Sequence, residues 1–65
     1  MLLENIRRLC REKNVSIARL ERETGIANGV IARWDASSPT VDNVQKVASF
    51  FGVTVDELLA DNHKD

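Results

Sequence analysis

Apolar residues recur every three or four positions along this chain, which is the spacing of helices with one buried face. The first such stripe consists of Leu3, Ile6, Leu9 and Cys10. It predicts a helix over roughly residues 2–13. Asn14 follows as the expected stop, because asparagine tolerates the left-handed conformation that ends many helices.

A second helix is predicted over about residues 17–24. Ser16 can cap it by accepting a backbone N–H, and Ile17, Leu20 and Thr24 share one face. Gly25 comes directly afterwards, in the usual position of a C-terminal glycine. A helix this short must be stabilised by packing.

The pair Asn28-Gly29 is a strong signal for a tight hairpin turn, but no strand flanks it. Val30, Ile31 and Trp34 instead fall on one side of a third helical pattern. The other side carries Asn28, Gly29, Ala32, Arg33 and Ala36. We therefore expect Gly25 to make the turn, Asn28-Gly29 to lie in the first turn of a third helix, and Trp34 to be buried.

The second half of the chain predicts two more helices. Thr40 can cap a fourth helix, which Gly52 ends, and Thr54-x-x-Glu57 is a capping box that opens a fifth through Leu59. Residues from about 60 to 65 form a polar tail that we expect to fray. The pattern predicts one all-α domain of five helices over residues 1–65, with a helix-turn-helix at about residues 16–36.

Charge is distributed unevenly, although the formal net charge is only −1. Residues 1–33 carry seven Lys or Arg and four Glu, whereas residues 34–65 carry two Lys and six Asp or Glu. The first half is thus positive by three charges and the second negative by four. The asymmetry suggests that one half faces a polyanion; chance is the alternative in so short a chain.

Several classes of function are disfavoured. The chain has one cysteine, Cys10, so no internal disulfide can form, which suits a reducing cytoplasm. We expect Cys10 to be a small buried hydrophobic residue. No apolar run approaches membrane-spanning length. There is no metal-ligand cluster, no cofactor motif and no nucleophile paired with a base, so we expect no enzyme, no metal and no cofactor.

The order of these elements resembles the phage-repressor and Cro type of helix-turn-helix proteins, the XRE family. "LERETGIANGVIARW" resembles the two-helix DNA reader, and "SPTVDNVQKVASFFGVTVDELL" resembles the scaffold that follows it. The resemblance covers residues 3–59. It implies a five-helix, lambda-repressor-like domain that inserts its third helix into the major groove of double-stranded DNA, commonly as a homodimer.

Three residues depart from the broad family pattern. Ile17 stands where a Gln commonly grips a phosphate, and Cys10 stands where an Arg commonly pairs with Asp35. Glu21 replaces a small residue between the second and third helices. A buried carboxylate needs partners. We therefore expect Glu21 to accept hydrogen bonds from the N–H groups that open the third helix, or from the Trp34 indole.

Site residues follow from the resemblance and the helical wheel. The base-reading surface is expected to comprise Asn28, Gly29, Ala32 and Arg33. Arginine can pair with guanine and asparagine with adenine, although Asn28 could instead cap the third helix and Arg33 could be a solvated charge. Gly29 and Ala32 let the backbone approach the bases. The expected phosphate contacts are Ser16, the amide of Ile17, and Ser37.

The leading hypothesis is a cytoplasmic, sequence-specific transcriptional regulator that represses by occupying an operator. Val55, Leu58 and Leu59 are the expected surface of a homodimer. Two other functions stay open: an antitoxin that binds DNA and neutralises a toxin, and a protein-interaction module that has lost DNA binding.

Overall fold

The computed structural model describes residues 2–60 and is helical throughout, with no strand in that range. It contains four α-helices in chain order and one 3₁₀ turn between the second and the third. The α-helices are α1 (Leu2–Lys13), α2 (Ile17–Thr24), α3 (Val41–Phe51) and α4 (Val55–Leu59), and the 3₁₀ turn is Ile31–Arg33.

The helix boundaries expected from capping residues are confirmed. Ser16 Oγ accepts the Arg19 N–H at 3.0 Å, and Thr40 Oγ1 accepts the Asn43 N–H at 3.2 Å. Asn14 has φ of 62° after α1, and Gly25 has φ of 78° after α2. Thr54 and Glu57 form the reciprocal capping box that begins α4. Local chemistry therefore fixes where each α-helix begins or ends.

The expectation of five α-helices is wrong at the third one. Residues 27–37 form consecutive tight turns, in which the Arg33, Trp34 and Ala36 N–H groups each bond the carbonyl three residues earlier. Only residues 31–33 qualify as 3₁₀ helix. Gly29, which we expected in the first turn of an α-helix, has φ of 87° and interrupts the helical path. The hairpin-type signal at Asn28-Gly29 thus marks a real turn.

One core joins these elements. α2 packs against α1, α3 and the 27–37 segment, and α4 packs against α1 and α3. The buried apolar residues are Leu3, Ile6, Cys10, Leu20, Ile26, Ile31, Trp34, Val44, Val47, Ala48, Phe51 and Leu58. Trp34 is therefore a core residue, as the helical pattern indicated.

A buried amide connects the two ends of the described chain. Asn5 on α1 is 3% exposed, and its Nδ2 donates to the carbonyl oxygens of Leu58 at 2.8 Å and Ala60 at 2.6 Å. Leu58 lies in the last turn of α4 and Ala60 is the residue after it, where carbonyls have no donor within the helix. Asn5 thereby docks α4 on α1. The polar tail expected to fray lies, from residue 61 onward, outside the described residues.

Candidate nucleic-acid interface

The segment expected to read bases, residues 27–37, has one buried and one exposed side; we call it the reader segment. Residues three apart in a 3₁₀ turn lie above one another. Ile31 and Trp34 are 0% and 8% exposed and anchor the segment in the core. Asn28, Ala32 and Arg33 are exposed. The structure therefore places these three expected base-reading residues on the solvent side of the segment.

Asn28 does not cap the helical turn that follows it. The residue at the cap position is Val30, and no side-chain hydrogen bond caps this turn. Within residues 2–60, the Asn28 side chain has no hydrogen-bond partner. Of the two roles open to Asn28, the structure removes the capping role and leaves its amide exposed.

The backbone conformation of Gly29 gives a reason of its own for a glycine at this position. Its positive φ lies in the left-handed region, where residues with a Cβ are strained. No atom lies within 4 Å of where a Cβ would stand, so glycine is required here by backbone conformation and not by crowding inside the molecule. Gly29 is half-buried.

Glu21 on α2 holds the start of the reader segment. Its Oε1 accepts the Gly29 N–H at 3.0 Å and its Oε2 accepts the Ile31 N–H at 2.9 Å. The residue is 3% exposed. The expectation that Glu21 accepts the opening N–H groups of this element is confirmed. No buried side-chain nitrogen or oxygen in residues 2–60 lacks a hydrogen-bond partner.

The three expected phosphate contacts are distributed over two elements. Ser16 is exposed at the start of α2, where its hydroxyl oxygen already serves as the cap. Ile17 is the first residue of α2, and N–H groups in a first helical turn have no intrahelical acceptor. Ser37 is exposed at the end of the reader segment, and its hydroxyl donates weakly to the Arg33 carbonyl at 3.3 Å.

Arg22 is a cation beside the reader segment that the sequence reasoning did not single out. It lines a cleft of about 320 Å³ between α2 and the reader segment, together with Ala18, Ile26, Asn28 and Glu21. The sequence could have indicated this position, because Arg22 lies four residues after Ala18 on α2 and therefore shares a helix face with it. Arg8 forms an ion pair with Glu12, and Arg19 forms one with Glu23, in each case four residues apart on a helix. Within residues 2–60, neither Arg22 nor Arg33 forms an ion pair.

A second surface is apolar. A groove of about 460 Å³ is lined by Leu2, Trp34, Asp35, Ala36, Ser37, Ser38, Pro39, Val41, Val44, Val55 and Leu59. Val41 is 71% exposed and Leu59 is 50% exposed at this groove. Of the expected dimer residues, Leu59 and the half-buried Val55 line it, whereas Leu58 is 1% exposed and belongs to the core of its own chain.

The described residues also bear on metal ligation, the single cysteine and membrane spanning. No group of three His, Cys, Asp or Glu side chains in residues 2–60 could bind a metal ion. Burial raises the pKa of the Cys10 thiol, which keeps this cysteine neutral within the core. No helix between residues 2 and 60 has the length and hydrophobicity to cross a membrane.

Comparison with known proteins agrees with the geometry. A family model described as a Cro/C1-type HTH DNA-binding domain matches residues 5–64, which is nearly the whole chain. No curated protein and no solved structure matches.

Proposed function

The chain belongs to the Cro/C1-type family of helix-turn-helix DNA-binding domains, and from this premise we propose that it is a transcriptional repressor that occupies an operator. The observation that supports the proposal is the reader segment itself. It projects Asn28, Ala32 and Arg33 into solvent from a backbone anchored by Ile31 and Trp34.

Arg33 is the main determinant of specificity in this proposal. It is exposed and forms no ion pair within residues 2–60, so its guanidinium is available to donate two hydrogen bonds to a guanine. Asn28 has a free amide suited to adenine. Ala32 keeps the surface between them low, which allows the backbone to approach the base edges.

Phosphate contacts would come from the two ends of this unit. Ser16 and the amide of Ile17 lie at the start of α2, where backbone N–H groups and the helix dipole favour an anion. Ser37 lies at the far end of the reader segment. We add Arg22, which borders the cleft next to Asn28, as a further cationic contact.

The experiment begins with selection of bound sequences from a random DNA pool, which supplies an operator. Arg33→Ala is then titrated on the operator and on scrambled DNA at fixed salt. We expect a loss of about 1–3 kcal/mol on the operator and relaxed preference at one position, a guanine. Arg7→Ala is the matched control, because Arg7 is an exposed cation on α1. An Arg33→Ala variant that changes neither affinity would refute the proposal.

Salt dependence separates this function from a protein-interaction module. Binding to DNA releases counterions and weakens steeply as the salt concentration rises, whereas an apolar protein interface does not. A wild-type protein that selects no sequence and shows no salt dependence would favour the interaction module. A toxin that co-purifies with the chain would favour the antitoxin.

We also propose that two copies bind the operator together, through the apolar groove. Val41 and Leu59 are exposed apolar residues that line this groove, so contact with a second copy would remove apolar surface from water. A two-fold axis would pair them reciprocally. Two reader segments would then lie about 34–36 Å apart, one turn of DNA. Sedimentation that finds one protomer on a minimal, asymmetric site would refute the dimer.

A further inference from the structure

The reader segment lacks the means to fix its own conformation. Its helical part is three residues long, which is far below the length at which an isolated helix is stable. It has no local cap, and Gly29 gives the preceding backbone wide conformational freedom. The positions of Asn28 and Arg33 relative to each other therefore depend on contacts made from elsewhere in the fold.

Two hydrogen bonds that the Glu21 side chain accepts supply that constraint. The carboxylate of Glu21 spans the turn, with one oxygen on the Gly29 N–H and the other on the Ile31 N–H. The intervening Val30 N–H bonds the Ala27 carbonyl at 3.2 Å. Three consecutive N–H groups are thus satisfied between the two side chains proposed to read bases.

The chemistry of the side chain matters as much as its reach. A carboxylate offers two acceptor oxygens and no donor, and its hydrogen bonds to N–H groups are charge-assisted. A glutamine of nearly equal shape would present an NH₂ group to one of the two N–H donors. That contact would be repulsive in a site where Glu21 is 3% exposed.

We infer that Glu21 is a positioning residue for sequence discrimination: it does not touch DNA, but it fixes the spacing of Asn28 and Arg33 that matches base edges. The inference rests on the proposed DNA-reading function. Phosphate contacts depend less on this spacing, because they position a protein on DNA without reading its sequence. Loss of the Glu21 contacts should therefore lower operator affinity more than affinity for scrambled DNA.

The test compares Glu21→Gln with Glu23→Gln. Both substitutions remove one negative charge from α2, but Glu23 is exposed and paired with Arg19 at 3.8 Å. The change in overall electrostatic attraction to DNA is thus matched between them. We expect Glu21→Gln to reduce the ratio of operator to scrambled-DNA affinity by about tenfold, and Glu23→Gln to leave that ratio unchanged.

Amide NMR without DNA supplies a second readout. In the wild type, the Gly29 and Ile31 amide protons should be shifted downfield by the charge-assisted bonds. Glu21→Gln should abolish the shift of the proton that meets the NH₂ group and reduce the shift of the other, which keeps a bond to a neutral oxygen. Glu21→Asp covers the case in which Glu21→Gln does not fold. It keeps the charge but is one methylene shorter, so its carboxylate does not reach the two N–H groups from α2, and the ratio of operator to scrambled-DNA affinity should also fall.

The contrary outcomes are distinct. If Glu21→Gln lowers both affinities by the same factor, Glu21 is only structural and the inference is overturned. Equal ratios for Glu21→Gln and Glu23→Gln overturn it as well. Arg33→Ala in the same titration tests the proposed function separately: if it lowers the ratio while the Glu21 variants do not, only the inference fails. A wild-type ratio near one refutes both.

Discussion

Replacing Asn5 by alanine tests how α4, and with it one wall of the apolar groove, is held on the domain. The Nδ2 group of Asn5 donates to the Leu58 carbonyl at 2.8 Å and to the Ala60 carbonyl at 2.6 Å. Both acceptors lie more than fifty residues away along the chain. Asn5→Ala therefore removes a tertiary contact between α1 and the end of α4.

The loss of unfolding free energy expected for Asn5→Ala follows from the number of these hydrogen bonds and from how far each is buried. A hydrogen bond contributes about 0.5–1.5 kcal/mol net, and a buried acceptor left unpaired costs about 1–3 kcal/mol. The Leu58 bond is fully buried, whereas the Ala60 bond is only partly so, and water can replace it. We expect Asn5→Ala to lower the free energy of unfolding by about 2–4 kcal/mol. A domain of this length has a total of about 3–10 kcal/mol.

Urea denaturation followed by tryptophan fluorescence measures this loss directly. Trp34 is the single tryptophan of the chain and is 8% exposed, so unfolding changes its environment. Trimethylamine oxide at one fixed concentration in all samples strengthens burial and preserves a native baseline for the variant. Gln45→Ala is the control, because Gln45 is an exposed amide on α3 and should change stability by less than about 0.5 kcal/mol.

A small loss of unfolding free energy in Asn5→Ala would refute this explanation of how α4 is held. An Asn5→Ala variant within about 0.5 kcal/mol of the wild type would behave like a surface substitution. The carbonyls that end α4 would then gain as much from water as from Asn5. In that case the docking of α4 would rest on Leu58, which is 1% exposed, and not on the amide.

Two further predictions concern the core and the reader segment. Burial raises the pKa of Cys10 above its ordinary value of 9.0, so the unfolded chain loses this proton at a lower pH than the folded one. Stability is therefore full well below pH 9.0 and falls as the pH rises past it. Urea titrations between pH 7 and 10 should show this decline, and Cys10→Ala should flatten it; an equal decline in both proteins would assign it to other groups. Gly29→Ala should cost about 1–2 kcal/mol through its left-handed backbone alone, since a Cβ there would meet no atom within 4 Å. Gly29→Asn should cost less in thermal unfolding, because asparagine tolerates this conformation, and equal losses for the two variants would contradict the backbone explanation.

The sequence by itself determined the boundaries of the α-helices, because these depend on neighbouring residues. Ser16, Thr40 and Thr54 each cap a helix by a bond to an N–H three residues ahead, so their effect is written within one turn of the chain. The left-handed conformation of Asn14 is likewise a local property of its side chain. The apolar pattern also indicated the burial of Leu3, Ile6 and Cys10 on α1 and of Trp34 in the reader segment.

The conformation of the reader segment was decided only by tertiary structure. Its apolar pattern at Val30, Ile31 and Trp34 suits a short α-helix and a 3₁₀ turn equally, since residues three and four apart nearly coincide over so short a stretch. The Glu21 carboxylate on α2 accepts hydrogen bonds from the N–H groups of Gly29 and Ile31, which lie 8 and 10 residues later in the chain. The sequence indicated that Glu21 needed such partners, but not that the left-handed Gly29 would be one of them.

The same distinction applies to the candidate surfaces. Leu58 and Leu59 are identical in type and adjacent in sequence, yet one is 1% and the other 50% exposed. Only the packing of α4 on α1 and α3 decides which leucine faces solvent. Arg22 and Asn28 line the same cleft between α2 and the reader segment, a proximity between residues six apart that no helical period predicts. Local chemistry places the elements, and the long-range contacts decide which of their residues share a surface.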